Sequence, residues 1–230
     1  MIKSEQVKNG ADVIDIGSNR LQSEILARSA PRIHSPLNDL PSKGFELIDF
    51  ADRFIEGGFM PWQKWLAEHS LKVKPDGRWQ HPISVAMLPR QQGKSTYMLA
   101  LIAMGLFEWN EKLQISSAHR LVTSLEQFRQ LVGMIETHDD LAKQIKRIRW
   151  QHGAEEIETN HGTRFLIKAG GSAARGASPT KVLLDELREM HDLESFASLR
   201  FALMAAQNPS VNAFTNAGDS HSVVLQMLRE

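Results

Sequence analysis

The sequence predicts an α/β fold in which a mostly parallel central sheet is flanked by helices. Short apolar runs with β-branched members recur along the chain from residue 82 onward, each too short for a helix. Longer segments with helical spacing separate them, the alternation that right-handed crossovers between parallel strands require. The first of these runs also passes through "PRQQGKST" straight into the longest apolar helix, so a glycine-bearing turn joins a strand end to a helix start.

Taken in order, residues 1–44 read as a polar arm or linker, with a short helix around Leu21–Arg28 and three prolines in "SAPRIHSPLNDLPSKG". Residues 45–230 read as the folded domain. "GFELIDFADRFI" spaces its apolar residues as a helix face does, and "PWQKWLAEHS" has Pro61 at a first helical turn. "PISVAMLP" is a buried strand bounded by prolines, and "GKSTYMLALIAMGLFEWN" a helix apolar nearly all round, as one lying under a sheet must be. "KLQISSA" is a second strand. "SLEQFRQLVGMIETH" is an amphipathic helix for which Ser124, three residues before Gln127, is the candidate cap. "EEIETNHGTRFLIKA" is a β-hairpin turning at "TNHG". "TKVLLDE" is a buried strand ending in two acids, "LESFASLRFALMAAQ" a helix, "SVNAFTNAG" a strand and "SHSVVLQMLRE" a helix.

Composition bounds the function without choosing it. The chain has 230 residues, 42% hydrophobic and 23% charged, ordinary values for a globular protein. Its formal charge is zero, so contact with nucleic acid would rest on local patches. Absence of cysteine excludes disulfides and thiolate zinc sites. The first residues lack the apolar core of a secretory signal, and no apolar run approaches the roughly 20 residues of a membrane helix. These features predict a soluble intracellular domain with no membrane partner.

The chemistry concentrates in two stretches. Gly93-Lys94-Ser95 closes a phosphate-binding loop of the pattern G-x-x-x-x-G-K-[ST], although Leu88 stands where the first glycine belongs. Backbone N–H groups of Arg90, Gln91, Gln92, Gly93, Lys94, Ser95 and Thr96 lie in the turn and first helical turn, where the helix dipole favours phosphate. Lys94 would reach the β- and γ-phosphates of ATP, and the Ser95 hydroxyl would take a place on Mg²⁺. The second stretch is "KVLLDE". Its apolar residues bury a strand that carries Asp185 and Glu186 to the sheet edge where ligands of such folds gather. Asp185 suits the metal shell and Glu186 the attacking water.

With both stretches in place, the chain resembles the ATPase domain of the large terminase subunit, the DNA-packaging motor of tailed bacteriophages. The resemblance covers roughly residues 44–225. That family often lacks the first loop glycine and carries a loop arginine, as "LPRQQGKS" does with Arg90. The resemblance implies an additional-strand, RecA-like P-loop ATPase dependent on Mg²⁺. "MPWQKWL" resembles the family's adenine-side element: Gln63 would pair with the adenine edge and Trp62 would offer a wall, while Trp65 reads as buried helix face. "GGSAARGASPTKVLLDE" places Arg175 where the family has a finger that acts on the neighbouring subunit's ATP, with Arg90 the rival in cis. "FTNAGD" resembles the coupling motif, in which Thr215 and Asn216 would sense the γ-phosphate.

Lys143, Lys146, Arg147 and Arg149 in "KQIKRIRW", with Arg120 and Arg129 nearby, form a candidate contact to double-stranded DNA phosphates; a solvated helix face is the alternative. Partners implied by the resemblance are DNA, the portal protein and the small terminase subunit. The motor would be a homo-oligomeric ring in the cytoplasm of an infected bacterium, and the isolated domain monomeric. A complete large terminase continues into a nuclease. The present residues end at Glu230 in an apparent helix and predict no nuclease activity, as in an excised domain or a naturally truncated protein. A helicase-like ATPase and a nucleotide-binding module without turnover are the competing readings.

Overall fold

The computed structural model describes residues 30–118, 121–151, 153–169 and 177–229. The expected helix around Leu21–Arg28, and both Arg120 and Arg175, lie outside these. One unit spans Met1–Ser35 and a second, compact unit spans Pro36–Glu230.

The second unit opens with two helices, α1 (Gly44–Phe54) and α2 (Pro61–Ser70). There follow strand β1 (Ile83–Met87), helix α3 (Lys94–Phe107), strand β2 (Leu113–Ala118), helix α4 (Leu121–Glu136) and a single turn of helix α5 (Asp139–Ala142). Strands β3 (Ile145–Arg149), β4 (Glu156–Thr159), β5 (Arg164–Ala169) and β6 (Lys181–Asp185) come next. A 3₁₀ turn (Leu187–Glu189), helix α6 (Leu193–Leu203), strand β7 (Ser210–Thr215) and helix α7 (Val223–Arg229) complete it. No described helix is long and apolar enough to cross a membrane.

All seven strands form one sheet in the order β1-β7-β6-β2-β5-β4-β3. The first five in that order are parallel; β4 and β3 continue it antiparallel. Burial on both faces explains why β6 is a nearly continuous apolar run. In β6, Leu183 enters the core beneath α1–α4, whereas Val182 and Leu184 enter the core beneath α6 and α7. In β7, Phe214 faces the first core and Val211 and Ala213 the second.

Helix α3 is buried from Tyr97 to Phe107, as its all-round apolar sequence requires, and each large side chain contributes roughly 1.5–3 kcal/mol by burial. Gly105 lets it approach β2: a Cβ there would meet the Gln114 amide at 2.5 Å, and that amide caps the Ile102 carbonyl.

Two local expectations are corrected. Helix α4 begins at Leu121, so Ser124 is a buried residue within it rather than its cap. Gln127 faces inward and accepts from the Ser116 hydroxyl at 2.7 Å. The basic segment 143–150 is mainly strand β3, not a helix face.

Candidate active site

Strand register assembles the site. Met87 of β1 lies level with Thr215 of β7, and Phe214 with Asp185 of β6. Three parallel strands therefore end together, and their C-terminal tips carry the glycine-lysine loop, the Thr215-Asn216 pair and the Asp185-Glu186 pair. This is the edge at which an open parallel sheet binds its ligand.

Leu88 accounts for the missing first glycine. Its N–H donates to the Thr215 carbonyl at 2.9 Å and its side chain packs on the first core, so it extends β1 rather than opening the loop. The turn itself uses left-handed backbone at Gln91 (φ 59°) and Gly93 (φ 80°). A Cβ at residue 93 would also meet the Gln63 amide nitrogen at 3.0 Å, so this position needs glycine twice over. Arg90, Gln91 and Gln92 are exposed in the loop, with Ser95 exposed and Thr96 half-buried in the first turn of α3.

Gln63 is engaged within the protein instead of being free for the expected adenine contact, whereas Trp62 lies half-buried beside the loop. Gln63 is 1% exposed and both ends of its amide are engaged: Nε2 donates to the Gly93 carbonyl at 2.8 Å and Oε1 accepts from Met60 N at 2.7 Å. No edge is left for adenine in this state. Trp62 donates its indole N–H to the Gln92 carbonyl at 3.1 Å. The start of α2 is thus a brace that holds the phosphate loop. Trp65 is half-buried and its ring lies tilted against that of His69, centroids 4.4 Å apart.

Lys94 folds back over its own loop. Its ammonium donates to the carbonyls of Leu88 (3.2 Å) and Pro89 (2.6 Å) and to Asn216 Oδ1 (2.7 Å). Burial pushes this ammonium below its ordinary pKa, aided by Arg90 and Arg188 and opposed by Asp185 and Glu186. Asn216 is therefore bonded directly to the loop lysine. Thr215 is not open to phosphate: it is 1% exposed, and its hydroxyl donates to the Asn216 carbonyl (2.9 Å) and accepts from Arg188 N (3.1 Å).

At the tip of β6, Asp185 Oδ1 accepts from Glu186 N at 2.9 Å, and Glu186 sits in left-handed backbone (φ 56°) ahead of the 3₁₀ turn. A glutamate tolerates this conformation only where its surroundings impose it, and such strain gathers at functional positions. Burial pushes the Asp185 carboxyl above its ordinary pKa, while the Glu186 N–H pulls it down. Asp185 has no ion-pair partner among the described residues. No group of three His, Cys, Asp or Glu side chains able to hold a metal exists among them either. One half-buried carboxylate and the Ser95 hydroxyl suit Mg²⁺, which keeps waters and phosphates in its shell instead of an all-protein cage.

That burial makes a prediction. Asp185 holds its proton more tightly folded than unfolded, so its ionisation subtracts stability as pH rises past about 3.8, and the loss persists at neutral pH. Asp185→Asn keeps the acceptor for Glu186 N and removes the charge. Without metal or nucleotide, it is expected to melt above the parent at pH 7, with the gap closing as pH falls through the aspartate range. Melting below the parent at pH 7 would show that the buried charge is compensated.

The basic cluster is placed at the far edge of the sheet from β1. Lys146 and Arg147 pair with Glu158 at 2.8 and 2.6 Å, and Arg149 pairs with Glu156 at 3.3 Å. Arg164, on β5, also pairs with Glu156. Lys143 is exposed. Cations outnumber the two glutamates, so the edge keeps positive charge, but most of it is already engaged.

Arg188 is a site residue that the sequence reading missed. Its signal was its place three residues after Asp185, in a segment otherwise read only for its acids.

Comparison with known proteins agrees with this geometry. The family model for the terminase large subunit, T4likevirus-type, N-terminal, matches residues 85–230, more than half of the chain. Among solved structures, the HK97 bacteriophage large terminase superposes with a TM-score of 0.64 at 18% identity, covering 76% of this chain and 38% of that one. The large terminase ATPase domain of Thermus phage P74-26 gives 0.52 at 17% identity, covering 80% and 73%. The large terminase of a thermophilic bacteriophage gives 0.50 at 14% identity, covering 85% and 43%. Among curated proteins no sequence is significantly similar. At these identities the structural likeness establishes the fold alone, a mostly parallel sheet flanked by helices, and this chain spans well under half the length of the HK97 protein. On the family match, the chain belongs to the terminase large subunit family, T4likevirus-type, N-terminal.

Proposed function

We propose that this chain hydrolyses Mg²⁺-bound ATP, and that within a complete large terminase the hydrolysis drives double-stranded DNA into a viral procapsid. The observation that carries the reading is the convergence of the Lys94 loop, the Thr215-Asn216 tip and the Asp185-Glu186 pair at three adjacent strand ends. Family membership supports the motor role.

The N–H groups of the loop and of the first turn of α3 would bind the phosphates, with the α3 dipole favouring their charge. Lys94 would leave its loop carbonyls for the β- and γ-oxygens, releasing Asn216 as it moves. Ser95 and Asp185 would hold the Mg²⁺, which supplies charge neutralisation at the phosphates. Glu186 would orient and deprotonate the attacking water. Arg175 would act in trans, or Arg90 in cis, on the charge that builds on the γ-phosphate.

Duplex DNA, the portal protein and the small terminase subunit are the proposed partners, with a homo-oligomeric ring as the working assembly and the cytoplasm of an infected bacterium as its place. Grip on DNA would come from Lys143, Lys146, Arg147 and Arg149, for which Glu156 and Glu158 would compete. The alternative, a helicase-like nucleic-acid-dependent ATPase, differs in which nucleic acid it answers to. Phosphate release from Mg²⁺-ATP with duplex or single-stranded DNA separates them: stimulation by duplex is the expected result, and stimulation by single strands alone would favour the helicase.

A further inference from the structure

Arg188 stands between the catalytic tip of β6 and the coupling tip of β7, and its bonds run both ways. Its backbone N–H donates to the Thr215 hydroxyl, that hydroxyl donates to the Asn216 carbonyl, and the Asn216 side chain receives Lys94. An unbroken series of contacts thus joins the turn that carries Arg188 to the lysine of the phosphate loop. The side chain is only half committed. One Nη is 3.1 Å from Glu189, while the buried Nε–H has no acceptor among the described residues. It borders a cleft of about 110 Å³ shared with His191, Gly218, Asp219 and Ser222.

A buried guanidinium N–H without an acceptor is uncommon and costs stability, so its presence beside a nucleotide site calls for a partner that arrives with the ligand. We propose that Arg188 is a γ-phosphate contact acting in cis, which turns from Glu189 to ATP and transmits the move through Thr215 to the coupling tip. The planar fork of an arginine suits a phosphate oxygen pair, and the charge of Arg188 is already felt at Lys94. Glu189 keeps a polar neighbour when Arg188 turns, because His191 Nε2 lies 3.8 Å away. Pulling on the 3₁₀ turn would shift the N–H that holds Thr215, so that presence of the third phosphate reaches β7.

This inference rests on the ATPase reading, and its test separates the two. Binding of Mg²⁺-ATPγS and Mg²⁺-ADP to the 230-residue chain is measured for the parent, Arg188→Ala and Glu189→Gln. Loss of a charge-assisted phosphate contact is expected to weaken ATPγS binding by roughly 10- to 100-fold in Arg188→Ala while ADP binds as in the parent. Glu189→Gln releases the guanidinium and is expected to shift preference the other way, toward ATPγS. An internal brace would move both nucleotides together or neither, and either outcome in Arg188→Ala overturns the proposal. Should Arg188→Ala fail to fold, an unchanged ATPγS preference in Glu189→Gln overturns it instead. A parent that binds neither nucleotide overturns the ATPase reading itself.

Discussion

Glu186→Gln is expected to bind Mg²⁺-ATP as the parent does and to lose phosphate release by about 10²–10⁴-fold, the usual contribution of a positioned general base. Binding should survive because the groups proposed to hold phosphate, the loop N–H groups, Lys94 and Arg188, do not include the Glu186 carboxylate. The backbone should survive as well. The left-handed turn at residue 186 is fixed by its N–H to Asp185 Oδ1 and by the 3₁₀ turn that follows, neither of which needs the carboxylate. Glutamine has nearly the same size and removes only the basic oxygen. Steady phosphate release at the parental rate would take the water-activating role away from Glu186.

A second large effect is expected at Arg175, which lies outside the described residues and whose trans role is a proposal. In assembled motors, Arg175→Ala is expected to cut hydrolysis by about 10³–10⁵-fold, as loss of an arginine finger does. In the isolated chain the same change should leave ATP affinity nearly unaltered, because a site served in trans never contains its own finger. Mixing Arg175→Ala with Glu186→Gln subunits should then restore some activity, since one interface in the mixture pairs an intact Glu186 with an intact Arg175. A cis-acting arginine allows no such rescue. Mixed rings that co-assemble and remain inactive would return the role to Arg90 or Arg188.

The parts of the fold most legible in the sequence are those buried on both sides. Strands β1, β6 and β7 read as apolar runs because each contributes side chains to both cores, and α3 reads as a helix apolar all round for the same reason. Strand β3 was not legible. It lies at the edge, its isoleucines alternate irregularly with cations, and what fixes it is its antiparallel ladder to β4 and the packing of Ile145 and Ile148 on the core, with the cations paired to glutamates of β4. The start of α4 was misplaced because Ser124 and Gln127 fit a capping pattern that tertiary burial uses otherwise.

At the site, residue types were readable and their commitments were not. Gln63 has the donor and acceptor that an adenine edge needs, but Met60 and Gly93 occupy both, the latter from 30 residues away. The Thr215 hydroxyl is likewise engaged by Arg188, 27 residues distant in sequence. Which polar groups a protein satisfies for itself depends on tertiary neighbours, and no local pattern carries that information.

Phosphate release from Mg²⁺-ATP by the isolated chain, followed over a range of protein concentrations in the parent and in Lys94→Ala, tests the central claim most directly. The account predicts slow release by the parent, rising in rate per chain as concentration brings subunits together, and its loss in Lys94→Ala with weakened nucleotide binding. Release by Lys94→Ala equal to that of the parent would place any hydrolysis elsewhere and contradict the account.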